Sequence, residues 1–226
     1  MILEMTRPVQ GGLRQERKLD ATSNNLANVD TAGFKKDVIS FDRMFKARFN
    51  TDFSEGDIRN TGNTLDLALE GKGFFKVRTA SGINYTRNGN FSLNADKILV
   101  DQNGDPVLGN SGPITIDGEQ VDINDNGEVY VDGNLIDSLD IVNFDDPTKL
   151  KKKGLNNFTY NGNASDEKKP DHTSVKQREL EGANVKTVDE MVNMIDHNRM
   201  YEVFQKMILT FDEIDDKAVN NLGVLR

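Results

Sequence analysis

VDEMVNMIDHNRMYEVFQKMILTFDEI, Val188 to Ile214, decides what kind of molecule this chain can be. Val188, Met191, Val192 and Ile195, then Met200, Phe204, Met207, Phe211, Ile214 and Ala218, recur mostly at steps of three and four, the spacing that gathers side chains on one side of an α-helix. The step of five from Ile195 to Met200 breaks this heptad-like register. A helix read through such a break carries its apolar stripe around its axis, so its two halves are expected to face different neighbours. A stripe this apolar needs a covering surface.

The opposite end of the chain offers a poorer helix. Residues from Thr6 to about Asn28 suit one, with Thr6 as a cap and Pro8 in the first turn. Its apolar side is thin: Val9, Leu13, Leu19 and Leu26 carry it, while Gly11 and Gly12 each cost up to about 1 kcal/mol relative to alanine. Such a helix persists only against a partner.

Between the two ends the pattern changes to short alternating runs bounded by Gly, Asn and Asp, as in GFFKVRT and PITIDGEQVDINDNGEVYVDGNLI. This is the signature of antiparallel strands and hairpins, and Asn88-Gly89, Asn103-Gly104 and Asn126-Gly127 read as their two-residue turns. Phe74 and Phe75, among Leu67, Leu69 and Val77, read as core. Residues 149 to 176 read as edge strands and a loop, with the lysines at 151 to 153 solvated. The fold expected is α+β: long N- and C-terminal helices pairing as a coiled coil, with a central antiparallel β-rich domain. The boundaries expected are an N-terminal helix in 1–34, an extended connector in 35–69, a β-rich domain in 70–176, and a connector and returning helix in 177–226.

Composition removes several functions. The chain has 226 residues and no cysteine, which excludes disulfides, thiolate zinc sites and a cysteine nucleophile. A net charge of −9 with a pI near 4.8 argues against nucleic acid as a partner, because phosphate binding needs clustered Lys and Arg. No apolar run approaches the roughly 20 residues that cross a bilayer, so no membrane insertion is expected. The start, MILEMTRPVQGG, has no basic segment leading into an apolar one and a cleavage site, so a cleaved signal peptide is not expected either.

The chemical motifs resolve into structural ones. DINDNGEVYVDG begins like a calcium loop, but Gly133 stands where a bidentate glutamate is required, so a hairpin turn is expected. GKGF at Gly71 to Phe74 lacks the remaining glycine and the Lys-Thr pair of nucleotide loops and reads as a turn into a strand. His172 and His197 each lack a companion ligand, and no GxSxG elbow occurs. No catalytic residue, metal site or cofactor is expected.

One stretch remains, SNNLANVDTAGFKKD at Ser23 to Asp37, rich in amides just past the first helix. In its longer form, LDATSNNLANVDTAGFKKD from Leu19, it resembles the N-terminal signature of bacterial flagellar rod and hook axial proteins. LDLALEGKGFFKV at Leu65 to Val77, YTRNGNFSLNADKILVDQNGDPVLG at Tyr85 to Gly109, and LEGANVKTVDEMVNMIDHNRMYEVFQK at Leu180 to Lys206 resemble that family's other blocks in the same order. Only Val38 to Thr64 separates the first block from the second, and with PVLGNSGPITI at Pro106 to Ile116 this resembles the proximal-rod type, a distal-rod or hook paralogue being the alternative. A secreted β-rich hydrolase is the remote alternative, and no motif supports it. Two departures stand out: the polar start TRPVQGGLRQERKLD, and Arg178 where the family usually has glycine.

The resemblance implies a structural subunit of the flagellar basal-body rod, not an enzyme, exported by the flagellar type III apparatus and assembled helically with other rod proteins and copies of itself. The terminal helices would pack in the inner layer of a tube and gain order on assembly. The residues expected at assembly contacts are Leu19, Asn24, Asn25, Leu26, Asn28, Gly33 and Phe34, with Val188, Val192, Ile195, Met200, Phe204, Met207, Phe211 and Ile214. The asparagines would bond backbone at the helix end and neighbouring subunits, Gly33 would permit the turn and Phe34 would anchor it.

Overall fold

Helix α1 spans Ile2–Ala27 and helix α2 spans Thr187–Leu222, and among the described residues the regular structure between them is strand and short 3-10 turn, as at Pro147–Lys149. The computed structural model describes residues 2–41, 47–154, 156–163, 166–170 and 172–222; the side chains of 2–5 and 218–222, Ala218 of the apolar stripe among them, lie outside that description. The architecture is therefore α+β, with a helix at each end and an antiparallel β-rich middle. Helix α1 begins four residues before Thr6. Ile2, Leu3, Glu4 and Met5 prolong it, so Thr6 is interior rather than a cap, and Pro8 sits inside the helix, where it forfeits one backbone hydrogen bond.

The chain forms two compact units. One comprises Met1–Ala27, Asp37–Asn50 and Val185–Arg226; the other comprises Asn28–Lys36 and Thr51–Asn184.

In the β unit, a six-stranded antiparallel sheet runs in the order Leu150–Lys153, Asn157–Tyr160, Gly82–Thr86, Phe74–Thr79, Ile141–Phe144 and Glu167–Lys168. Successive residues of a strand point to opposite faces, so adjacent Phe74 and Phe75 seed two separate cores. Phe75 and Val77 join Phe91, Leu99, Val107 and Val129 on one face; Phe74 joins Tyr85, Val142, Phe144 and Phe158 on the other. The lysines at 151–153 lie on the edge strand Leu150–Lys153, not in a loop. Lysines along an open edge discourage pairing with a foreign strand.

The hairpin turns follow one rule that the Asn-Gly pairs only partly express. At 94–98, 101–105 and 124–128, the side chain of the first residue (Asn94, Asp101, Asn124) accepts the N–H of the third and of the fifth, at 2.8–3.1 Å. The fourth residue is left-handed: Lys97 at φ 59°, Gly104 at 85° and Gly127 at 80°. A turn of this kind has one left-handed position followed by a bulge, not the two of a two-residue loop. Asn88-Gly89 is not a hairpin turn of either kind. Gly89 is there because its backbone lies against the Leu67 carbonyl, whose oxygen a Cβ would meet at 1.7 Å. The two-residue turn does occur at Asp132-Gly133, where φ is 50° and 82° between paired Val131 and Asn134.

Candidate assembly interface

Four sequence blocks that are far apart in the chain converge on one buried charge cluster in the β unit. Lys35 Nζ donates to Glu181 Oε1 at 2.5 Å and to the Ser54 carbonyl at 2.7 Å. Arg87 approaches Glu181 Oε2 at 3.3 Å and donates to the carbonyls of Leu69 and Gly71 at 3.2 and 2.6 Å, while the Gly56 N–H completes the Glu181 shell at 2.9 Å. Relative exposures of 0% for Lys35, 3% for Arg87 and 1% for Glu181 leave water little access. Burial pushes both cations below their ordinary pKa values, and the Glu181 carboxylate opposes that shift. An ion cluster this dry holds its segments in one register, because Glu181 pairs with both cations and removing it strands two buried charges.

The amide-rich stretch feeds into this cluster. Gly33 is left-handed at φ 67°, its N–H donates to the Glu181 carbonyl at 2.8 Å, and a Cβ there would strike the Asn88 nitrogen at 2.4 Å, so glycine is required twice over. Phe34 is buried, with the Lys152 ammonium 4.2 Å from its ring centroid. Asn28, also buried, accepts from the Thr31 hydroxyl and backbone N–H within the turn. Asn184 mirrors it from the other end of the unit, accepting from Lys36 N–H at 2.7 Å and donating to the Asp52 carbonyl at 2.8 Å.

The helical unit has a different construction. Asn25 is buried at the end of α1 and grips Asp37 by both backbone groups, at 2.8 and 3.0 Å, while exposed Asn24 bonds the Asp37 carboxylate at 3.2 Å. Gly11 lets the Phe204 ring lie against α1, since a Cβ would come within 2.4 Å of it. Lys18 lies beside His197, and the two contacts together make the helices antiparallel. Burial, reinforced by Lys18, holds the His197 imidazole below its ordinary pKa.

On α2 the half-buried positions among the described residues are Thr187, Glu190, Met194, His197, Tyr201, Phe204, Ile208, Phe211 and Asp215, an unbroken alternation of three and four. Among the described residues no side chain of this helix is fully buried. The large apolar residues outside the seam fall into two groups. At 100° per residue, Val188, Met191, Val192 and Ile195 lie on one flank of the seam, which Leu209 continues further along, and Met200, Val203, Met207 and Ile214 lie on the other.

Phe204 and Phe211 thus occupy the seam between the helices, whereas Val188, Val192, Ile195, Met200, Met207 and Ile214 are exposed. Leu19 and Leu26 are half-buried on α1. Sequence reasoning passed over Lys35, Arg87 and Glu181, although each lies inside a quoted block. A signal was available: each is a charged residue set among glycines and short apolar runs.

Three segments of the chain match known families. Residues 11–35 match the one described as Flagella basal body rod protein, residues 68–131 the Flagellar hook protein FlgE/F/G D1 domain, and residues 176–222 the Flagellar basal body rod FlgEFG protein C-terminal. Over 227 residues the chain is 34% identical to the flagellar basal-body rod protein FlgF of Caulobacter vibrioides, covering 92% of each. It is 30% identical to FlgG of Bacillus subtilis over 261 residues, 97% of this chain and 99% of the relative. Against FlgG of Agrobacterium fabrum it is 32% identical over 252 residues, 92% and 95% of the two chains. Each matched segment supplies one member of the buried ion cluster.

Proposed function

The chain belongs to the flagellar basal-body rod protein family, and on that premise we propose that it is a subunit of the proximal rod. As a member of that family it is a structural subunit of the basal-body rod and not an enzyme, and it assembles with other rod proteins. The proximal assignment is supported by length. Alignment to the Caulobacter FlgF needs 227 positions, against 261 for the Bacillus FlgG, and the segment from Val38 to Thr64 is short.

The observation that carries the assembly reading is the surface of α2. A 36-residue helix with no fully buried side chain among the described residues, and with apolar residues on two flanks, leaves covering surface to be supplied by other molecules. We assign the flank of Val188, Met191 and Ile195 and the flank of Met200, Met207 and Ile214 to different neighbours in a helical array that includes copies of this chain, with heterologous contacts that repeat without closing. In that array α1 and α2 pair as a coiled coil along the seam of threes and fours. Asn25, Asn28, Gly33 and Phe34 set where the chain turns away from α1, and Asn24, Leu19 and Leu26 lie at assembly contacts. Export through the flagellar type III apparatus, without a cleaved signal peptide, suits helices that complete their packing only on arrival.

The test is complementation of a strain lacking the protein. Ile195→Ser with Met207→Ser removes one apolar residue from each flank, and at about 1.5 kcal/mol or more each their combined loss is about 100-fold or greater in assembly. Motility should fail while the purified variant unfolds at the wild-type denaturant midpoint. Electron microscopy of basal bodies from the deletion strain should show a shaft that stops short of a complete proximal rod. A complete proximal rod without a distal rod would assign the chain to the distal rod instead, and a full-length rod lacking only the hook would assign it to the hook.

A further inference from the structure

A second surface of the helical unit is built for a specific occupant. A groove of about 470 Å³ runs between α1 and the strand pair Asp37–Phe41 and Ala47–Thr51. Leu13, Phe41, Ala47 and Phe49 line it, with Gln10, Arg14 and Arg17 beside them. Leu13 and Phe49 are more than half exposed, and the Arg14 guanidinium lies over the Phe41 ring at 5.3 Å from its centroid. This is an apolar slot with a cationic rim.

The complementary surface is on α2 of the same sequence. Leu209 is exposed at 62%, and the positions three, four and seven residues on, which share its side of the helix, are Asp212, Glu213 and Asp216. Glu202 and Lys206, seven and three residues before it, share that side too, so Leu209 sits among four carboxylates and one ammonium and marks a net acidic end of the flank begun by Val188 and Ile195. It matches the slot in both polarity and charge.

We propose that the Leu209 face of α2 from a second copy of this chain docks in the Arg14–Arg17 groove. The proposal rests on the self-association reading above and deepens it. Leu209 enters among Leu13, Phe41 and Phe49, and the carboxylates at 212, 213 and 216 meet the two arginines, the helix-in-groove mode with charge selecting the partner and its orientation. The occupant is committed by charge complementarity: one side is cationic at its rim and the other is acidic around its anchor.

The absence of cysteine makes the contact readable. Full-length chains carrying Gln10→Cys are mixed with size-tagged full-length chains carrying Gln205→Cys, beside Leu209 on the same side, or Met207→Cys, on the far flank. The mixed disulfide should form with Gln205→Cys at least about five-fold more than with Met207→Cys. Arg17→Glu should lower that yield about ten-fold at low salt, and Glu213→Arg on the other chain should restore it. Equal or greater yield with Met207→Cys, or a reversal that Glu213→Arg leaves unrestored, overturns the groove contact. A wild-type chain that sediments as a monomer at every concentration removes the self-association reading beneath it. Association that persists while the Gln10–Gln205 pair stays silent removes the groove alone.

Discussion

The β unit and the helical unit solve opposite problems with the same chain. The first buries two aromatic and aliphatic clusters on the two faces of one sheet and adds a dry Lys35–Glu181–Arg87 cluster to lock its entering and leaving segments. The second has a 36-residue helix whose described side chains are all at least partly exposed, on a seam that α1 meets with Gly11 and Lys18. The β unit covers its apolar groups within the chain, whereas on the assembly reading proposed above the apolar surface left on α2 is covered by neighbours. Changes in the two units should therefore read out differently, in folding for one and in association for the other.

The largest folding effect belongs to the ion cluster. Glu181→Ala removes the carboxylate that hydrogen-bonds both Lys35 and Arg87 and leaves two cations in a site from which water is excluded. Loss of one partner of a buried pair costs about 3–5 kcal/mol, a large share of what a domain of this size has. Chemical denaturation of the full chain should show that loss in the β unit. A change below about 1 kcal/mol would mean the cluster is wetter than its geometry states, and the contrast between the units would weaken.

The same cluster marks the limit of what the sequence discloses. Helix periodicity and strand alternation are local, so α1, α2 and the β-rich middle are legible from residues a few positions apart. The seam is legible only in outline: the apolar stripe mixes Phe204 and Phe211, which face α1, with Met200, Met207 and Ile214, which do not. Lys35 and Glu181 are 146 residues apart and Arg87 lies between them, so no periodicity links them. Turn chemistry misleads where a backbone contact, rather than a turn, demands the glycine, as at Gly89. It also hides where a non-glycine residue fills a left-handed position, as Lys97 does.

Arg178 is the sharper case of that substitution, and it lies in the well-packed unit. Its φ is 65°, its N–H donates to the Asp66 carbonyl at 2.8 Å, and its own carbonyl accepts from Thr61 N–H at 2.8 Å and Gly62 N–H at 3.3 Å. These bonds hold the backbone left-handed, where a Cβ costs energy that glycine does not incur. Arg178→Gly should raise the stability of the β unit by about 1 kcal/mol, reduced by the larger backbone entropy of glycine in the unfolded chain. The denaturant midpoint reads the gain. A loss instead would show that the exposed arginine side chain stabilises the turn by more than its backbone conformation costs.

The smallest effect should appear in the helical unit and nowhere else. His197 sits on the seam with Lys18 across from it and Asp196 and Glu190 nearby, and burial followed by the Lys18 charge lowers its pKa below the ordinary 6.5. A lowered histidine pKa means that the unfolded helix binds the proton more readily than the folded one. The imidazole therefore contributes its full stability above pH 6.5, and that contribution is lost as the pH falls toward the folded value. Partial exposure and the two carboxylates keep the effect small. Amide hydrogen exchange followed from pH 7.5 to 5.5, corrected for intrinsic rates, should show protection falling around His197 on α2 and Lys18 on α1 while the strands from Phe74 to Thr86 hold steady. His197→Gln should flatten the helical response, because an uncharged side chain has no proton to gain. If the helices and the strands lose protection together, the two units unfold as one and the division of labour between them fails.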